Sequence, residues 1–132
     1  MAWVVDSCVL LDIRMNDVEF GLTSANCLAA HLSDGLAVAP MTYVELAPAF
    51  RGDVLIQNAF LERNGVEWLT SWTRADTEIA HRLWAEHVQR KRAGQGSKRP
   101  VADVFIEAFA QRFQGLITRN PKHFTTVPVV VP

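Results

Sequence analysis

The chain has 132 residues, 49% of them apolar and 20% charged, with a formal net charge of −1. That is enough chain for one domain, residues 1–132, with its own core. The near-zero charge excludes a global pull toward nucleic acid or membrane, though not a local basic patch. No apolar stretch approaches the roughly 20 residues of a membrane span. No basic start followed by an apolar segment marks a signal peptide. Cys8 and Cys27 have neither metal nor redox spacing, so they read as buried thiols in a reducing compartment, and the cytoplasm is expected.

AWVV (2–5) is a short, apolar run suited to a strand buried on both faces. DSCVLLDIR then turns helical. Residues 22–32 carry Leu22, Ala25, Ala29 and Leu32 at helical spacing, and Gly35 stops them. LAVAP (36–40) reads as a second strand, and MTYVELAPAF starts a helix that Pro48 bends or restarts. Residues 53–64 are helical and end at Gly65. VEWLT (66–70) is a third strand. Residues 75–92 form a longer amphipathic helix, and GQGSKRP (94–100) an open, polar loop. Residues 101–113 form another helix, with Phe105, Phe109 and Phe113 four apart. GLIT (115–118) is a fourth strand and VPVVV (127–131) a fifth. Such alternation predicts a three-layer α/β/α sandwich around a mostly parallel sheet of four to five strands. Sites in these sheets lie beyond the C-terminal strand ends.

Chemistry-bearing residues fall at those ends. Asp6 follows the first strand, Glu45 comes soon after the second, Asp103 lies early in the helix before the fourth, and Asn120 closely follows that strand. Each acid also has a local reading. Asp6 suits a helix N-cap. Thr42-Tyr43-Val44-Glu45 fits a capping box. Asp103 sits just after Pro100 in a first helical turn, where negative charge is favoured.

Taken as an ordered set, VVDSCVLLDI, MTYVEL and RPVADVFIEAFAQRFQGLITRNPKHF resemble the PIN-domain family, and within it the VapC-type toxins of bacterial toxin–antitoxin pairs. The resemblance covers essentially the whole chain. It matches Asp6-Ser7 to the family's first Asp with its Ser or Thr, Glu45 to its early-helix Glu, and Asp103 to the Asp of its Ala-rich helix. Thr118-Arg119-Asn120 and Phe124 match its closing segment, with Asn120 where a fourth carboxylate is more frequent. An amide oxygen ligates a hard cation without adding charge. Glu107, one turn after Asp103, is a candidate to supply that charge or else a solvated surface residue.

The resemblance implies a metal-dependent ribonuclease leaving a 5′-phosphate and a 3′-hydroxyl. Asp6, Glu45 and Asp103 would hold Mg²⁺ or Mn²⁺, Asn120 would complete the shell, and Ser7 and Thr118 would orient carboxylates or water. It further implies a small antitoxin partner and a homodimer. The alternative is a non-catalytic RNA-binding domain with a weakened metal site. RNA contact falls to the acid-free stretch QRKRAGQGSKR, with Arg90, Lys91, Arg92, Lys98 and Arg99, and to Arg119. A solvated helix end is the other reading of that stretch.

His31, His81, His87 and His123 show no zinc spacing and read as surface or packing residues. Of the four tryptophans, Trp72 is the one expected to be exposed. A phosphoacceptor receiver domain would need an acid after the third strand, where Leu69-Thr70-Ser71 stands. A dehalogenase-like phosphatase would need Asp-x-Asp, but position 8 is Cys.

Overall fold

In a computed structural model, which describes residues 1–96 and 99–132, the apolar runs become five short strands. These are β1 (Trp3–Val5), β2 (Leu36–Ala37), β3 (Val66–Glu67), β4 (Gly115–Ile117) and β5 (Val129–Val130). They form one sheet in the order β3-β2-β1-β4-β5, parallel throughout. Val4 stands between Ala37 and Leu116 in register.

Strand side chains alternate between faces, and that alternation divides the core. Trp3, Val5 and Ile117 join a cluster with Val9, Leu10, Leu28 and Leu61 on one face. Val4 and Leu116 join Ile106, Phe109 and Phe124 on the other. The first face is covered by α1 (Ser7–Arg14), α2 (Gly21–His31) and α4 (Val54–Arg63), the second by α6 (Val101–Ala110). α5 (Arg74–Arg92) packs outside α6 through Ala80 and Leu83 against Val104 and Ala108. The expected α/β sandwich is therefore present. Among the described residues no helix is long and apolar enough to cross a membrane.

Strands are shorter than their apolar patterns, for local reasons. The second run stops because Ala39 is an extended N-cap and Pro40 takes the first position of α3 (Pro40–Glu45). Thr42 and Glu45 therefore do not form the expected capping box: Glu45 is the last residue of this helix, and Thr42 Oγ1 is buried without a partner. The third run stops because the Glu67 carboxylate accepts from the Leu69 amide and the Thr70 hydroxyl, turning the chain. A 3-10 turn at Ala47–Phe50 replaces the helix at Pro48. α6 ends at Ala110 rather than 113, yet Phe113 still packs on Phe109 with ring centroids 5.0 Å apart. β4 opens on glycine for lack of room: a Cβ on Gly115 would collide with the Pro128 carbonyl oxygen and the Trp3 ring.

Trp72 is half-buried, stacked on Phe109 and bonded through Nε1 to Thr77 Oγ1 at 2.7 Å. Trp84 is the exposed tryptophan, at 38%. Cys8 and Cys27 are half-buried free thiols.

Candidate active site

Asp6 leaves β1 directly into α1. Its Oδ1 accepts from the Ser7 amide at 2.8 Å, so it is the N-cap of that helix. Its Oδ2 accepts from the Thr118 hydroxyl, just past β4, at 2.7 Å, with Cys8 Sγ at 3.5 Å. Burial pushes the Asp6 carboxyl above its ordinary range and the nearby Asp103 charge adds to this, while the bonds from Thr118, Cys8 and Ser7 pull the other way. The Cys8 thiol is likewise pushed up, to about 11, by burial and the charge of Asp6.

Glu45 comes to the same edge from the end of α3, which packs on α6 and α1. Burial raises its carboxyl, the charges of Asp6 and Asp103 raise it further, and the Ser7 side chain alone opposes them. Its Oε1 is buried with no hydrogen-bond partner among the described residues. Asp103 lies in the first turn of α6, where Oδ2 sits 2.6 Å from His123 Nδ1. Three acids from three elements thus share one electrostatic neighbourhood at the C-terminal edge of the sheet. Among the described residues no three His, Cys, Asp or Glu side chains stand close enough to clasp an ion as they are.

Asn120 is exposed, and its amide donates to Thr118 Oγ1 at 3.0 Å, two hydrogen bonds from Asp6. Glu107 is neither a surface residue nor available as a substitute ligand. It is fully buried, with Oε1 bonded to Arg99 Nη2 at 2.9 Å and Oε2 accepting from the Thr125 and Thr126 amides at 2.7 and 3.1 Å.

The basic residues divide. Arg99 is 9% exposed and built into the fold: Nη2 also donates to the Asp103 carbonyl at 3.2 Å, and the guanidinium lies over the Phe124 ring. Arg119 is likewise engaged within the fold, gripping buried Asp12 through two bonds of 2.6 and 2.7 Å and lying 4.2 Å over the Phe20 ring. Arg90, Lys91 and Arg92 are exposed at the end of α5. Lys98 lies outside the described residues.

No family model matches this sequence, and no curated protein matches it. Among solved structures, the chain aligns with one from a complex described as VapBC2 from Rickettsia felis bound to a DNA fragment from their promoter. The TM-score is 0.69 over 100% of this chain and 99% of that one, at 13% identity. The two chains share a fold. At that identity the likeness to VapBC2 speaks for architecture, and the chemistry must come from the residues themselves.

Those residues fit a hard divalent cation. The donors are carboxylate oxygens, and Glu45 Oε1 is a buried acceptor that no group among the described residues satisfies. The site residue missed by spacing is His123. Its partner Asp103 lies 20 residues away, and a lone His–Asp contact has no zinc-ligand spacing to mark it.

Proposed function

We propose that this chain is a Mg²⁺- or Mn²⁺-dependent endoribonuclease and the toxin of a type II toxin–antitoxin pair. The observation that carries the reading is the gathering of Asp6, Glu45 and Asp103 at one sheet edge, with Glu45 Oε1 buried and unpaired. Asp6, Glu45 and Asp103 would hold the cation, with Asn120 beside them. The bound ion would supply an activated water and neutralise charge on the phosphodiester. Thr118 and Ser7 fix the orientation of Asp6 and Glu45, and His123 fixes that of Asp103. RNA is the substrate, a small antitoxin protein the restraining partner, the homodimer the assembly and the cytoplasm the compartment. The shared fold with a chain of a VapBC2 complex supports the partner reading.

A non-catalytic RNA-binding domain is the second reading, favoured by the amide at Asn120 where a carboxylate would add charge. Cleavage assays separate the two. Purified protein should cut a single-stranded or loop RNA with Mg²⁺ or Mn²⁺, EDTA should stop it, and Asp103→Asn should remove it. RNA binding without metal-dependent cleavage would select the second reading.

A further inference from the structure

Beside the acids lies a cleft of about 400 Å³, lined by His87 and Arg90 of α5, by Arg99, and by Lys122, His123 and Thr125. Its volume suits a nucleotide-sized ligand. Among the described residues no carboxylate lines it. Three observations give it a chemistry. Arg90 and Lys122 are exposed and form no ion pair among the described residues. Arg99 is more than nine-tenths buried, and while Nη2 is used, Nε is buried with no partner among the described residues. An N–H in that state favours an incoming acceptor. His87 is pushed below its usual range by burial first and then by the charges of Arg99, Arg90 and Lys91. The C-terminal end of α5 contributes about half a negative charge, which Arg90, Lys91 and Arg92 outweigh.

We propose that this cleft is a phosphate pocket, seating a phosphate of the substrate strand adjacent to the one held at the acids. The proposal deepens the ribonuclease reading and rests on it for the identity of the strand. His123 joins the two halves: its Nδ1 contacts Asp103 while its ring lines the cleft. One imidazole therefore separates a cluster of negative charge from a cluster of positive charge. A nucleic acid strand needs that pairing, cations for its standing phosphates and acids for a cation at the reacting one.

The test is binding of a fluorescently labelled single-stranded RNA in EDTA, followed by anisotropy at several salt concentrations. Arg90→Ala and Lys122→Ala should each weaken binding several-fold and lower the log–log salt slope by about 0.7. Arg82→Ala, which removes an exposed cation of α5 outside the cleft, should change neither. Pocket variants indistinguishable from Arg82→Ala, or wild type that binds no RNA, would overturn the proposal. Inorganic phosphate identifies the source. If it displaces RNA from wild type, a lone phosphate suffices; if not, the strand must deliver it. Binding in EDTA needs neither metal nor turnover. Failure of the pocket would therefore appear as unchanged slopes with cleavage intact, and failure of the ribonuclease reading as no cleavage with the slopes still shifted.

Discussion

Thr118 donates its hydroxyl proton to Oδ2 of Asp6 at 2.7 Å, across 112 residues of sequence. Thr118 Oγ1 in turn accepts from the Asn120 amide, so one buried hydroxyl ties the end of β1 to the turn after β4. Thr118→Val removes both bonds while keeping shape. It should cost about 1–3 kcal/mol in urea unfolding and raise the Asp6 carboxyl further, since this bond lowers it. Thr118→Ser should recover most of the loss. Equal stability of the Val variant and wild type would show that the hydroxyl is dispensable.

The raised carboxyls of Asp6 and Glu45 make stability depend on pH. Because the folded protein holds these protons more tightly than the unfolded chain, their contribution is complete below the ordinary carboxylate values of 3.8 and 4.5. It is lost as pH rises through the higher folded values. In EDTA, Asp6→Asn and Glu45→Gln should each remove part of that loss, leaving the protein as stable as wild type or more so at neutral pH. Asn also keeps the cap of α1. Adding Mn²⁺ at 100 times its dissociation constant should stabilise wild type by about 2.7 kcal/mol and the variants much less. Equal metal-induced shifts in thermal melts of all three would remove these acids from the ligand set.

Arg99 and Glu107 form a buried pair at 2.9 Å with side chains 9% and 1% exposed. Arg99→Met strands the Glu107 charge and should cost about 3–5 kcal/mol by denaturant titration. Glu107→Gln should destabilise as well, yet leave Mn²⁺ affinity of the folded protein unchanged. A changed affinity would return Glu107 to the metal site.

Asn120→Asp adds a formal charge beside the Thr118–Asp6 bond. Calorimetric titration should show tighter Mn²⁺ binding and, in EDTA, a lower melting temperature from added repulsion. Unaltered values in both would place Asn120 outside the site.

Expression of the chain alone should arrest growth, and co-expression with an adjacent small gene should relieve it. Asp103→Asn should be harmless at equal protein level by immunoblot. Harmless expression of an active, folded wild type would count against the toxin reading and leave the fold untouched.

Much of this was legible in the residues. Asp6 stood out because a carboxylate interrupts an apolar run, and the cap reading holds: it caps α1 while lying buried at the sheet edge. Glu45 was placed at the right edge although its capping box is absent, because Pro40 starts the helix two residues before Thr42. The fate of individual charges was harder to see. Nothing local distinguishes Arg99 and Arg119, which turn inward onto Glu107 and Asp12, from Arg90, which stays out. Their partners lie 8 and 107 residues away. Glu107 did carry a signal. It sits in VADVFIEAFA among apolar residues that leave its helix little polar face, so its carboxylate had to be internal and paired. Strand length was illegible because apolar character continues past the point where Pro40 or the Glu67 carboxylate ends the ladder.

The partners of Glu107 also bear on the order of assembly. One oxygen binds Arg99, which precedes α6, and the other binds amides at 125 and 126, which follow β4. Helix α6 therefore cannot settle on the sheet with its central carboxylate satisfied until residue 126 has been synthesised and has cleared the ribosome. Until then Oε2 of this acid lacks its two native donors. The second core thus closes late, when nearly all of the domain is available to pack around it.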